Sequence, residues 1–159
     1  PRRRIRLGPI LGIILSHHFP QQPERPFGYL TSFCTEVTIA AHQRFIETII
    51  FTPKQLLASN GREMEAFVYR QGAWTKSNTP LPHLIYNRLA SRLYEQSEEY
   101  ERLKELLKQQ NIPMFNENFL NKWQIHETLY REPELQRHIP FTIMYRGKST
   151  LLQMLKQMN

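Results

Sequence analysis

Apolar runs and apolar stripes alternate along this chain. Ile10 to Leu15 is an apolar run, with Gly8-Pro9 before it and Ser16-His17-His18 after it. A continuous run of this kind suits a strand buried on both faces, as in a parallel sheet. Pro20 to Pro26 carries three prolines and reads as a loop. Leu30, Phe33, Val37, Ala40 and Ala41 then fall on one stripe at helical spacing, with Cys34 at its border as a small core residue. Thr48 to Thr52 reads as a second strand, and Pro53 opens a short turn or helix through Leu57. After the Asn60-Gly61 turn signal, Met64, Ala66 and Val68 alternate with Glu65, Phe67 and Tyr69. Gln71-Gly72 ends that strand, and Trp74 to Lys76 can return as its hairpin partner.

Leu84-Ile85-Tyr86 is a short buried strand ending at Asn87-Arg88. Ser91 to Gln110 carries the clearest helical pattern. Leu93, Tyr100, Leu103 and Leu107 share a face, and Glu98 and Arg102 are spaced to pair. Ile112 to Phe115 reads as a strand, with Asn116 as the cap of a helix that runs to about Tyr130. Ile139 to Tyr145 is strand-like, and Leu151, Met154, Leu155 and Met158 form a last amphipathic stripe. The order is β-α-β, a hairpin insert, β-α-β, helix, strand, helix. Alternation of this kind predicts an α/β fold with a mainly parallel sheet and covering helices.

Composition narrows the function classes. A chain of 159 residues can bury roughly two-thirds of its unfolded surface without disulfide staples. Cys34 is the single cysteine, so no internal disulfide forms and a reducing compartment is expected. No run approaches the ~20 apolar residues of a membrane span, so no membrane partner is expected. Residues 1–7 open with Pro-Arg-Arg-Arg-Ile-Arg and read as a solvated basic arm, since no small-residue cleavage site follows the apolar run. The net charge of +7 favours anionic partners. Outside the arm, however, the basic residues are interleaved with acids, which argues against a nucleic-acid groove.

Arg146-Gly147-Lys148-Ser149-Thr150 imitates a phosphate-binding loop. The first glycine of that loop would fall at Thr142, so the backbone wrap cannot form, and a strand–turn–helix junction capped by Ser149 is expected instead. His17-His18 lacks a third and fourth ligand at metal-site spacing. It is read as a loop pair near a ligand crevice, with no metal. Lys122 lies at the margin of an apolar helix face formed by Phe119, Leu120 and Trp123, its stem snorkelling along that face. Asn87-Arg88 stands at the C-terminal end of a strand, the edge where open α/β sheets bind ligands. There Arg88 can hold a carboxylate or phosphate, or pair with an acid such as Glu95.

Several segments occur in a telling order: Pro82-His83-Leu84-Ile85-Tyr86-Asn87-Arg88, Ile112-Pro113-Met114-Phe115-Asn116, Phe119-Leu120-Asn121-Lys122-Trp123 and Ile139-Pro140-Phe141-Thr142. With Gly72-x-Trp74 and Gly12-Ile13-Ile14, the series resembles the YheC/YheD family of endospore-coat-associated, ATP-grasp-like proteins. The resemblance implies a Rossmann-like preATP-grasp domain over 8–117 and the beginning of a truncated ATP-grasp fold, its opening helix and strand, over 118–159. It implies that Lys122 contacts nucleotide phosphates, with Asn121 in place of the family's aspartate. It implies that Arg88 lies beside the acceptor substrate. Asn87, Arg88, His17 and His18 are therefore expected to line one substrate crevice. ATP and Mg are the family's cofactors. The second nucleotide lysine, the adenine segment and the magnesium ligands do not occur in these residues, so the chain alone is expected to be inactive and to bind neither cofactor tightly. The whole protein would be an ATP-dependent carboxylate–amine ligase. The first alternative is a non-enzymatic module that contacts spore-coat proteins, or self-associates, through an exposed face, and the second, which the interleaved charge disfavours, is a basic nucleic-acid-binding domain. The ligase and coat readings place the chain in the mother-cell cytoplasm or the spore coat.

Overall fold

A computed structural model describes residues 8–89, 91–117 and 121–157. The basic arm at 1–7 and Phe119-Leu120 of the lysine-bearing segment lie outside the described residues. The chain divides into two compact units, Pro1–Asn118 and Phe119–Asn159.

In the first unit, six strands form one sheet: β1 (Ile10–Ile14), β2 (Glu47–Phe51), β3 (Glu63–Arg70), β4 (Ala73–Pro80), β5 (Leu84–Asn87) and β6 (Met114–Phe115). Their spatial order is β4-β3-β2-β1-β5-β6. The four strands from β2 to β6 in that order run parallel, and the β3–β4 hairpin adds antiparallel to β2. The mainly parallel α/β sheet expected from the buried runs is thus present, with the hairpin extending it at one edge. The central strands are the most apolar because both of their faces are covered: Ile13, Ile14, Ile49, Ile50, Phe51 and Ile85 are all buried. Gly12 sits where β1 passes close to its neighbours. A Cβ there would lie 2.7 Å from the Phe51 ring, so only glycine admits that packing. The β3–β4 turn places Gln71 at φ 51° and Gly72 at φ 83°, the pair of positive dihedrals a two-residue hairpin needs.

Helix α1 (Thr31–His42) covers one sheet face and buries Thr31, Cys34, Thr38 and Ala41. The buried line is therefore turned from the Leu30–Phe33–Val37–Ala40 stripe: Cys34 is at its centre, and Ala40 is exposed. Burial pushes the Cys34 thiol up to about 12, opposed only in part by nearby Arg88. A neutral, sequestered thiol is a poor nucleophile. Cys34 is expected to resist a disulfide reagent at pH 8 in the native protein and to react at once in denaturant; rapid labelling of native protein would contradict this packing.

The opposite face is covered by α2 (Pro53–Leu57) and α4 (Glu98–Gln109), with Leu56, Tyr100, Leu103 and Leu107 in the core. The single helix expected over 91–110 is broken in two. Ser91 accepts from the Tyr94 amide and starts α3 (Arg92–Glu95), and Ser97 accepts from the Tyr100 amide and starts α4. A serine that caps the following turn stops the preceding one. The break takes α3 out of phase, so Leu93 is 82% exposed instead of sharing the buried face.

The second unit contains α5 (Lys122–Tyr130), α6 (Pro133–Gln136) and α7 (Lys148–Gln157). Asn121, not Asn116, caps α5, through a reciprocal capping box with Gln124. Asn116 instead takes φ 58° and its amide donates to the Asn87 carbonyl at 2.9 Å. Residues 139–145 form no strand; no strand lies among the described residues of this unit, and an unpaired segment has no ladder to join. Helix α7 starts at Lys148. The Gly147 carbonyl accepts from the Thr150 and Leu151 amides, so Ser149 lies inside the first turn and is not its cap.

Candidate functional site

Strand β5 alternates. Ile85 and Leu89 enter the core under α4, whereas Tyr86 packs on the α1 side. By the same period-two rule Arg88 shares the α1 side with Tyr86, and Asn87 faces the α4 side. The Arg88 amide donates to the Ile14 carbonyl at 3.0 Å, which fixes its backbone at the C-terminal edge of the parallel strands. Its guanidinium carbon lies 4.9 Å from the Phe33 ring centroid and 5.9 Å from that of Tyr86. Those two rings meet at 6.3 Å, and Tyr86 stacks on Phe115 at 4.7 Å with 4° between planes. The Nε of Arg88 is buried and has no hydrogen-bond partner among the described residues. The ion pairs among those residues include Lys76–Glu65 and Lys104–Glu101, and neither of these two includes Arg88. Arg88 is therefore a half-buried cation held by aromatic faces.

Asn87 has a different setting. It is 2% exposed. Its Nδ2 donates to the Glu117 carbonyl at 3.2 Å, and its Oδ1 accepts from the Leu89 amide at 2.9 Å. The Tyr100 hydroxyl donates to the same Glu117 carbonyl. These bonds tie the ends of β5 and β6 to α4. The structure thus keeps Asn87 apart from Arg88 on the opposite sheet face, with both ends of its amide engaged by backbone.

The histidine loop leans toward the hairpin. His18 packs against Phe67 of β3 at 5.1 Å, and His17 against Phe19 at 4.9 Å. Desolvation lowers the His18 pKa first, with Lys76 nearby acting in the same direction. In the sheet, β2 and β1 stand between β3 and β5. No hydrogen bond, ion pair or ring contact joins either histidine to Arg88 among the described residues. The aromatic setting of Arg88 was the feature that sequence reasoning missed. Its signal was an aromatic two residues before Arg88 on the strand, together with the one phenylalanine in the stripe of α1.

Comparison with known proteins adds a family to this geometry. A YheC/D-like ATP-grasp family model matches residues 111–159, from the approach to β6 through the second unit. The endospore coat-associated protein YheD of Bacillus subtilis (strain 168) is 31% identical over 137 residues, 86% of this chain. The chain belongs to the YheC/YheD family. It spans 30% of the length of that relative.

Within this YheC/YheD chain, Lys122 is the first residue of α5 and is exposed. The capping box occupies the Asn121 and Gln124 amides, so Lys122 and the remaining first-turn amides are the donors α5 offers an anion. Among the described residues, no group of three or more His, Cys, Asp or Glu is placed to hold a metal ion. No helix among the described residues is long and apolar enough to cross a membrane. The second unit also has a cavity of about 360 Å³ lined by Trp123, His126, Tyr130 and Phe141 with Glu127 and Arg131. Trp123, His126 and Tyr130 form a ladder of rings along α5, at 5.3 and 5.6 Å.

Proposed function

We propose that this chain supplies the acceptor-binding wall and one phosphate-contacting helix of an ATP-dependent carboxylate–amine ligase of the endospore coat. The observation that carries the reading is Arg88, a guanidinium that belongs to neither the Lys76–Glu65 nor the Lys104–Glu101 ion pair and stands at the C-terminal edge of parallel strands. Ligands of open α/β sheets bind at that edge. Membership in an ATP-grasp-like family supports the reaction class, and the relative's association with the endospore coat supports the location. ATP, when bound, supplies the phosphoryl group that activates a carboxylate. Arg88 would hold the acceptor's anion, and Lys122 would meet one phosphate.

The test separates a binding arginine from a structural one. Arg88→Ala is expected to change the melting temperature by no more than about 4 °C, since an aromatic contact to a partly exposed cation contributes only about 0.5–1 kcal/mol. Acetate and inorganic phosphate binding should weaken roughly ten-fold or more, the scale of one charged hydrogen bond. A large fall in melting temperature with anion binding intact would make Arg88 a structural residue and remove the site.

A second reading is a contact with coat proteins, or between copies, through the second unit. Ile125, Leu129, Leu135, Leu151, Leu152 and Leu155 are each exposed there, and an apolar surface of this kind favours association.

A further inference from the structure

Arginine can grip a carboxylate in two planar ways, through its two terminal nitrogens or through Nε and one terminal nitrogen. The second way needs Nε to be open to the ligand. At Arg88 it is not: Nε is buried. Phe33 covers the guanidinium at 4.9 Å, and Tyr86 lies 5.9 Å away. Phe33 is carried by α1 and Tyr86 by β5, and the two rings, 6.3 Å apart and inclined at 60°, flank the cation from two adjacent sides. Tyr86 is in turn backed by Phe115 through a parallel stack at 4.7 Å. The adjacent Cys34 thiol stays neutral, and so provides no competing anion.

We propose that Phe33 and Tyr86 form an aromatic clamp that leaves Arg88 only its terminal nitrogens for an end-on grip on one carboxylate, with Phe33 as the positioning residue. This rests on the reading of Arg88 as the anion-binding group and adds how it binds and what it prefers. An end-on fork has two parallel donors in one plane, which match the two oxygens of a carboxylate. Contact with the two rings restrains the guanidinium in advance, so less ordering accompanies binding. The acceptor class is therefore a carboxylate-bearing molecule that approaches the edge of the guanidinium, and acetate should bind more tightly than inorganic phosphate at equal ionic strength.

The experiment is a titration of this chain with acetate, and separately with inorganic phosphate. It is followed by the nitrogen resonances of the Arg88 side chain. The terminal nitrogens should shift saturably with acetate while Nε stays still. Phe33→Tyr should keep the affinity, and Phe33→Leu should weaken it about five-fold, in line with loss of a cation–aromatic contact. If Phe33→Leu does not fold, Tyr86→Leu serves as the second variant, with the same expected loss. Equal movement of Nε overturns the end-on grip. Phosphate binding as tight as acetate overturns the carboxylate preference. Unchanged affinity in the leucine variants, with binding lost in Arg88→Gln, overturns the clamp while leaving Arg88 as the anion site. Absence of any saturable shift overturns both the clamp and the function proposed above.

Discussion

Replacing Leu103 with alanine is expected to remove about 2–5 kcal/mol of unfolding free energy, the usual cost of emptying a fully buried leucine site. Leu103 is 0% exposed and sits between Tyr100 and Leu107 on the inner face of α4. That face packs on Ile14, Ile49, Ile85 and Met114, which come from four parallel strands. The cavity would open beneath the centre of the sheet, where neighbours from separate strands cannot all close inward at once. A fall in melting temperature of roughly 5 °C or more should follow. Leu93→Ala is the matched control. It lies on the other side of the Ser97 break, is 82% exposed, and should change stability by less than about 0.5 kcal/mol. A continuous helix over 91–110 would have put both leucines on one buried face. Equal losses in the two variants would therefore restore the single helix and contradict the break.

That contrast shows what the sequence pattern carries. Burial on both faces leaves a strong trace, so Ile10–Ile14, Thr48–Phe51 and Leu84–Asn87 were legible as central strands. The period-two run from Met64 to Tyr69 was legible because alternation marks a strand with one face toward the core, and its Gln71-Gly72 turn because glycine marks the reversal. Capping chemistry was harder to read. Ser97 lies inside an apparently unbroken stripe, and its role depends on a hydroxyl competing for one amide. Asn116 stood where a cap was wanted, yet its left-handed backbone and its bond to Asn87 depend on the neighbouring strand. The tail near Ile139–Tyr145 has strand composition but no partner strand among the described residues of its unit, and composition alone does not make a ladder. At the candidate site, adjacency in sequence misled for a geometric reason. Asn87 and Arg88 are consecutive, and consecutive residues on a strand face opposite sides. Only Arg88 shares a face with the aromatic residues of α1 and β5.

Asn87→Asp gives the second large effect, and its pH dependence identifies the cause. The Asn87 amide nitrogen donates to the Glu117 carbonyl in a site 2% exposed. The substitution keeps shape and removes the donor. At neutral pH it leaves a buried carboxylate oxygen facing a carbonyl oxygen that also receives the Tyr100 hydroxyl. The Leu89 amide can still donate to the other oxygen, but one neutral donor does not repay desolvation of a charge. A loss of about 3 kcal/mol or more is expected at pH 7. Desolvation and the facing carbonyl both disfavour the charged form, so the introduced carboxyl has a folded pKa above the unfolded value of about 3.9. Between those two values the native state holds the proton more tightly than the unfolded chain, so stability falls as pH rises through the window and is flat above it. On acidification the sign reverses. The protonated carboxyl regains an O–H that can donate to Glu117, and the gap between variant and parent should narrow from pH 7 toward pH 4. Chemical denaturation of both proteins across that range measures the gap directly. A gap that stays constant with pH would mean that the charge is solvated. Asn87 would then be open to the crevice, as the sequence suggested, and not part of the knot that ties β5 and β6 to α4.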